Sequence, residues 1–225
     1  MARTRSLTNL IADVRFRADN QAATDAEITE LINQSIAELY DMLVNAFGDE
    51  YFETEATLTT TANNDTISLA SVTDFYKLTG VWWLISGGQY ARISKYEPAN
   101  AQVIIPSSGW NYDANIYYRL RVNALRFVPI PLAAHTVKLK YIPWAVRLSA
   151  GGDLFDGYNG WEEYPIADAA IKLLEREGNT DDAQLLIARK QSLVQRIADM
   201  ADRDQAEPAR VQDTRSARAY WRGRW

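Results

Sequence analysis

The feature that most constrains this chain is a change of hydrophobic period that happens twice. Apolar residues recur every three to four positions near the N-terminus, every second position in the middle, and every three to four again from Trp161 onward. A period near 3.6 builds a helix with one apolar stripe, and a period of two builds a half-buried strand. No single helix can bury its stripe alone, so the two ends are expected to pack together around or beside the middle.

The N-terminal stripe is Leu7, Leu10, Ile11 and Val14, broken at Asp19-Asn20-Gln21. Thr24-Asp25-Ala26-Glu27 has the form of a capping box, in which Thr caps a backbone N–H and Glu reaches back. A second stripe follows in Ile28, Leu31, Ile32, Ile36, Leu39, Leu43 and Phe47, with Gly48 as its C-cap. From residue 51 to 148 the chain is rich in Thr, Val, Ile, Tyr and Trp and punctuated by Gly, Pro and Asn. Asn63-Asn64-Asp65 predicts a hairpin turn. Ile116, Tyr118, Leu120 and Val122 predict one face of a strand, and Leu125, Phe127, Val137, Leu139 and Tyr141 continue the alternation. Glu97 to Val103 suits one short helix or turn.

Helical spacing returns over Trp161 to Glu177, with Ile166, Ala169, Ala170, Leu173 and Leu174 on one face and Gly178 closing it. Thr180 is expected to cap the last helix, whose stripe is Leu186, Leu193, Ile197 and Met200. The expected fold is α+β. Residues 1–50 and 160–203 form an antiparallel helical bundle of two N-terminal and two C-terminal helices. Residues 51–159 form an inserted small antiparallel β domain of about six to eight strands, and residues 204–225 an extended arm.

That arm carries Arg215, Arg218, Tyr220, Trp221, Arg222, Arg224 and Trp225. Large aromatics and arginines dominate interface hot spots, and a terminus has no core of its own to bury them in. Extended, residues 203–225 span about 70 Å, enough to cross onto a neighbouring protein. The four arginines from Arg215 onward, with no acidic side chain among them, leave about −9 on the rest of a chain whose charge is −5. An acidic body argues against nucleic-acid binding by charge neutralisation, and fits a channel that DNA passes without adhering.

Enzymatic fingerprints are missing. The absence of cysteine rules out disulfides and thiolate metal sites. There is no Gly-rich phosphate loop with Lys, no Gly-x-Ser-x-Gly and no His-Glu-x-x-His, and His135 is the only histidine. Asp153, Asp156, Glu162 and Glu163, near Phe155, Tyr158 and Trp161, offer carboxylates for a glycosidase pair, but they equally suit a loop leading to an acidic helix start. Trp82-Trp83 and Trp110 with Tyr112 raise a carbohydrate-binding reading; adjacent strand residues face opposite ways, so one of Trp82 and Trp83 is expected in the core. No enzyme activity, cofactor or metal is expected. Neither a bilayer-spanning run of about 20 apolar residues nor a signal-peptide h-region is present.

Gly160-Trp161-Glu162-Glu163-Tyr164, Asp168-Ala-Ala-Ile-Lys-Leu-Leu-Glu-Arg-Glu177, Arg196-Ile-Ala-Asp-Met-Ala-Asp-Arg-Asp204 and Glu207-Pro-Ala-Arg-Val-Gln-Asp213 together resemble the head-to-tail adaptor (connector) proteins of tailed bacteriophages. Residues 24–40 at the N-terminal end are similar to such proteins too. The resemblance covers both helical parts and is weaker over the β region. It implies a structural virion protein, made in the host cytoplasm and placed in the neck at the head-tail junction. It also implies a dodecameric ring under the portal protein, with tail (nozzle or tail-tube) proteins below. Double-stranded DNA would pass through the ring without specific binding, and no membrane would be involved. The helices would form the ring wall, the arm would reach the portal and the β insertion would face the tail. The alternative is a carbohydrate-binding or receptor-facing module of a phage tail.

Overall fold

The computed structural model describes residues 4–20, 22–85, 88–97, 116–156 and 160–205. It is mixed α+β, with four α-helices and, among the described residues, ten strands that pair antiparallel with one exception. Helix α1 (Leu7–Ala18) is entered from Ser6, whose hydroxyl accepts from the Asn9 N–H. It ends at Asp19 in the left-handed conformation at φ 47°. The capping box forms as expected: Thr24 Oγ1 accepts from the Glu27 N–H and the Glu27 carboxylate accepts from the Thr24 N–H. Helix α2 (Asp25–Phe47) runs from there to Gly48 at φ 84°, where a residue without Cβ is favoured.

Helix α3 (Glu163–Glu177) is central and packs against α1, α2 and the last helix, α4 (Thr180–Gln205). Ten of its residues are buried, and Ala167, Ala169 and Ala170 let neighbouring helices come close. Gly178 closes it in the left-handed conformation. Thr180 is the first residue of α4 rather than its cap; the tight Gly178 turn brings the helix in one residue early. Ile197 is buried and Leu186 and Leu193 pack on the core, but Met200 is 43% exposed, because the buried face continues from Ile197 to Ala201, one turn on, and leaves Met200 beside it.

Strands β2 (Thr54–Thr59), β9 (Thr136–Pro143), β4 (Phe75–Leu84) and β5 (Tyr90–Arg92) form one sheet in that order. Strands β3 (Thr66–Ser68), β8 (Ala124–Val128), β7 (Tyr117–Arg121) and β6 (Ser94–Lys95) form a second, in which β6 and β7 run parallel. A two-stranded pair, β1 (Arg5–Ser6) with β10 (Leu154–Phe155), ties the start of the chain to the segment before α3. Sequence periodicity cannot show strands this short.

Two of the expected β details are corrected. Asn63 and Asn64 do make a turn, with Asn63 at φ 59°, but the strands on either side join different sheets rather than a hairpin. Val122 is not on the strand. It sits at φ 45° in the turn between β7 and β8, 90% exposed, so the alternation stops at Arg121. The suggested element at Glu97 to Val103 lies almost wholly outside the described residues.

Two apolar clusters result. One gathers α1–α4 with Phe155, Trp161 and Ile142. The other lies between the sheets, around Trp83, Phe127, Leu125, Val137 and Leu139. Strand β9 serves both, because Tyr141 and Ile142 are neighbours pointing opposite ways, one into each cluster.

Candidate interaction surfaces

The strongest constellation of charge is inside the helical part. Asp168 on α3 is 1% exposed, and a buried carboxylate is costly unless fully paired. Lys172, one turn on, reaches it at 2.8 Å; Lys190 from α4 also bonds it; and the Ser35 hydroxyl of α2 donates at 2.6 Å. Burial pushes this carboxyl's pKa up, but the bonds from Lys172, Lys190 and Ser35 outweigh that and hold it below the usual value. Glu38 on α2 completes the group by pairing Lys172 at 2.7 Å. One carboxylate thus joins three helices.

A second clamp lies at the start of α3. Glu163 takes both guanidinium nitrogens of Arg17 from α1, at 2.5 and 2.8 Å, and Arg189 of α4 at 2.8 Å. Helix α2 carries Asp25, Glu27, Glu30, Glu38 and Asp41 and no basic residue. Each of these acids meets a partner on another element: Arg15, Arg176, Arg147, Lys172 and the Tyr76 hydroxyl respectively. Four of these acids thus have a basic neighbour, although the pairs are exposed enough that each adds little stability by itself.

Three of the candidate enzymatic residues, Asp153, Glu163 and His135, make contacts that hold the fold. The Asp153 carboxylate accepts from the Ser149 and Ala150 N–H groups at 2.7 and 2.8 Å, which holds its pKa below the usual carboxylate range. A glycosidase acid needs the opposite shift. Glu163 is engaged by two arginines, as described. His135 packs its ring on Trp83 with centroids 4.6 Å apart. Among the described residues, no three His, Asp or Glu side chains gather as metal ligands, and no helix is long and apolar enough to cross a membrane.

Trp83 is fully buried and Trp82 lies on the outer face, as the alternation expects. Trp82 is not an open platform. Its ring folds over Gly80, where an added Cβ would meet it at 2.5 Å, and Lys140 and Arg92 sit 4.8 and 5.7 Å from its centroid. The exposed pair Tyr76 and Trp144 is tilted by 46°, unlike the coplanar rings that stack on a sugar. Trp110 and Tyr112 lie outside the described residues, as do Asp156's neighbour Tyr158 and all seven arm residues, Arg215, Arg218, Tyr220, Trp221, Arg222, Arg224 and Trp225.

Sequence reasoning missed Asp168 as a structural centre. The signal was there: an acid between Ala167 and Ala169, on an otherwise buried helix, with a lysine one turn away.

Ion pairs centred on Asp168 and Glu163 thus join the four helices to one another. The chain belongs to the SU10 adaptor protein family, whose model matches residues 5–218. It is thus a bacteriophage structural adaptor. No curated protein sequence matches it significantly.

Proposed function

We propose that this protein is the ring-forming subunit of a head-to-tail adaptor, seated between the capsid portal and the tail. Residues 1–50 and 160–203 form the helical wall as an antiparallel bundle. Residues 51–159 are the inserted β domain that meets tail proteins, and residues 204–225 are the arm that docks on the portal. In the arm, Arg215, Arg218, Arg222 and Arg224 pair with portal carboxylates while Tyr220, Trp221 and Trp225 fill apolar pockets. Ring symmetry multiplies weak contacts, so each arm adds avidity. DNA passes through the ring without specific binding. The ring is dodecameric and belongs to the virion neck.

The observation that carries this reading is the family match, which spans both helical parts, the β region and most of the arm. Imaging the purified protein mixed with its portal by electron microscopy tests it. A twelve-fold ring seated on the portal is expected. Protein that stays apart from portals overturns it.

A further inference from the structure

Sheet edges are templates for another strand, and proteins blunt them with short strands, bulges, proline or charged side chains, lysine above all. Strand β2 carries one charge, Glu55, and otherwise none of these. It is six residues long, pairs with β9 without a bulge, and contains neither proline nor lysine. The Thr60 N–H donates to His135, so the even-numbered residues of β2 hydrogen-bond to β9. The backbone groups of Glu55, Thr57 and Thr59 therefore point away from the sheet and have no partner among the described residues. Beside them runs a groove lined by Thr57, Thr59, Thr61, Asn64, Thr66 and Ser68, without a charge. The facing edge, β3, is only three residues long, and its Thr66 N–H already donates to the Asn64 side chain.

The other edge of the same sheet is β5. Ile85 donates to Gln89 and Ile93 to Val81, which places the odd residues of β5 against β4 and turns the backbone of Tyr90 and Arg92 outward. Strand direction alternates from β2 through β9 and β4 to β5, so β5 of one copy meets β2 of the next antiparallel when the sheet continues. The side chains of Glu55, Thr57, Tyr90 and Arg92 all lie on the sheet face that carries Lys138, Lys140 and Trp82.

We propose that β2 of one subunit receives β5 of its neighbour, continuing one antiparallel sheet from copy to copy, with Arg92 opposite Glu55 and Tyr90 opposite Thr57. This rests on the ring reading and supplies its subunit contact. The register places an opposite-charge pair and an aromatic–threonine pair across the junction. It adds about four backbone hydrogen bonds per interface. The contact is heterologous, and ring closure joins both edge strands of this sheet to a neighbour.

The chain has no cysteine, so a disulfide can report the contact directly. A chain carrying both Thr57→Cys and Tyr90→Cys, oxidised after assembly on portals, should give a covalent ladder extending beyond dimers. Either single variant should give none, since antiparallel partners sit about 5.5 Å apart and like residues do not meet. Thr57→Pro removes an outward N–H that β9 does not use, and should cut ring assembly at least tenfold with an unchanged circular dichroism spectrum. Glu55→Arg should weaken assembly and Arg92→Glu in the same chain should restore it. If rings seat normally on portals, yet the double-cysteine chain yields no ladder, strand addition is overturned and the ring reading stands. If no ring forms with the unmodified chain, both fall.

Discussion

At the middle of the helical part sits a charge, Asp168; at the middle of the β part sits an indole, Trp83, and its charged residues lie on the outer face. Apolar burial between helices is non-directional, whereas an ion pair with a fixed geometry adds a directional contact to their packing. Asp168 with Ser35, Lys172 and Lys190, and Glu163 with Arg17 and Arg189, set the helices against one another at two heights. The sheets need no such clamp, because backbone ladders already fix their register. They leave edges instead, and the proposed contact between neighbours uses two of them.

The sharpest way to break this contrast is to remove the central charge. Asp168→Ala leaves Lys172 and Lys190 to share the Glu38 carboxylate and takes one partner from the buried Ser35 hydroxyl, and a loss of about 3–5 kcal/mol is expected in urea unfolding. Trp83→Ala opens a cavity in the other core at a cost nearer about 3 kcal/mol, since it also deletes a buried indole N–H that has no partner among the described residues. Hydrogen exchange should separate the two, with loss of protection centred on α2–α4 for the first and on β4, β8 and β9 for the second.

Acid sharpens the comparison further. The Asp168 carboxyl titrates below its unfolded value of about 3.9. Its stabilisation is therefore complete above that value and fades as pH falls through the lower folded one. Urea midpoints measured downward from about pH 5 should fall less steeply in Asp168→Asn than in the wild type. Thr24→Ala, which opens the capping box of α2, should cost about 1 kcal/mol by the same assay.

The helices were legible because their spacing is long and regular, and because caps such as Thr24, Gly48 and Gly178 are local chemistry. The sheets were legible as a class but not as a topology. Asn63-Asn64 marks a turn whether it joins a hairpin or passes between sheets, and only partners distant in sequence decide which. Val122 shows the same limit: a β-branched residue in the left-handed region is strained, so propensity argues for strand where the β7–β8 turn forces otherwise. The open edge of β2 could not be read at all, since an edge is defined by what does not pair with it. Tyr220, Trp221 and Trp225 are plain in the sequence, whereas a partner for them can be read only from another chain.

In the proposed adaptor the arm grips the portal, and the body folds without it. Sedimentation of portals with either the full chain or one lacking residues 215–225 tests it most directly. The full chain should co-sediment as a ring, and the shortened chain should stay free with an unchanged melting temperature. A shortened chain that still joins portals as the full chain does would contradict the account.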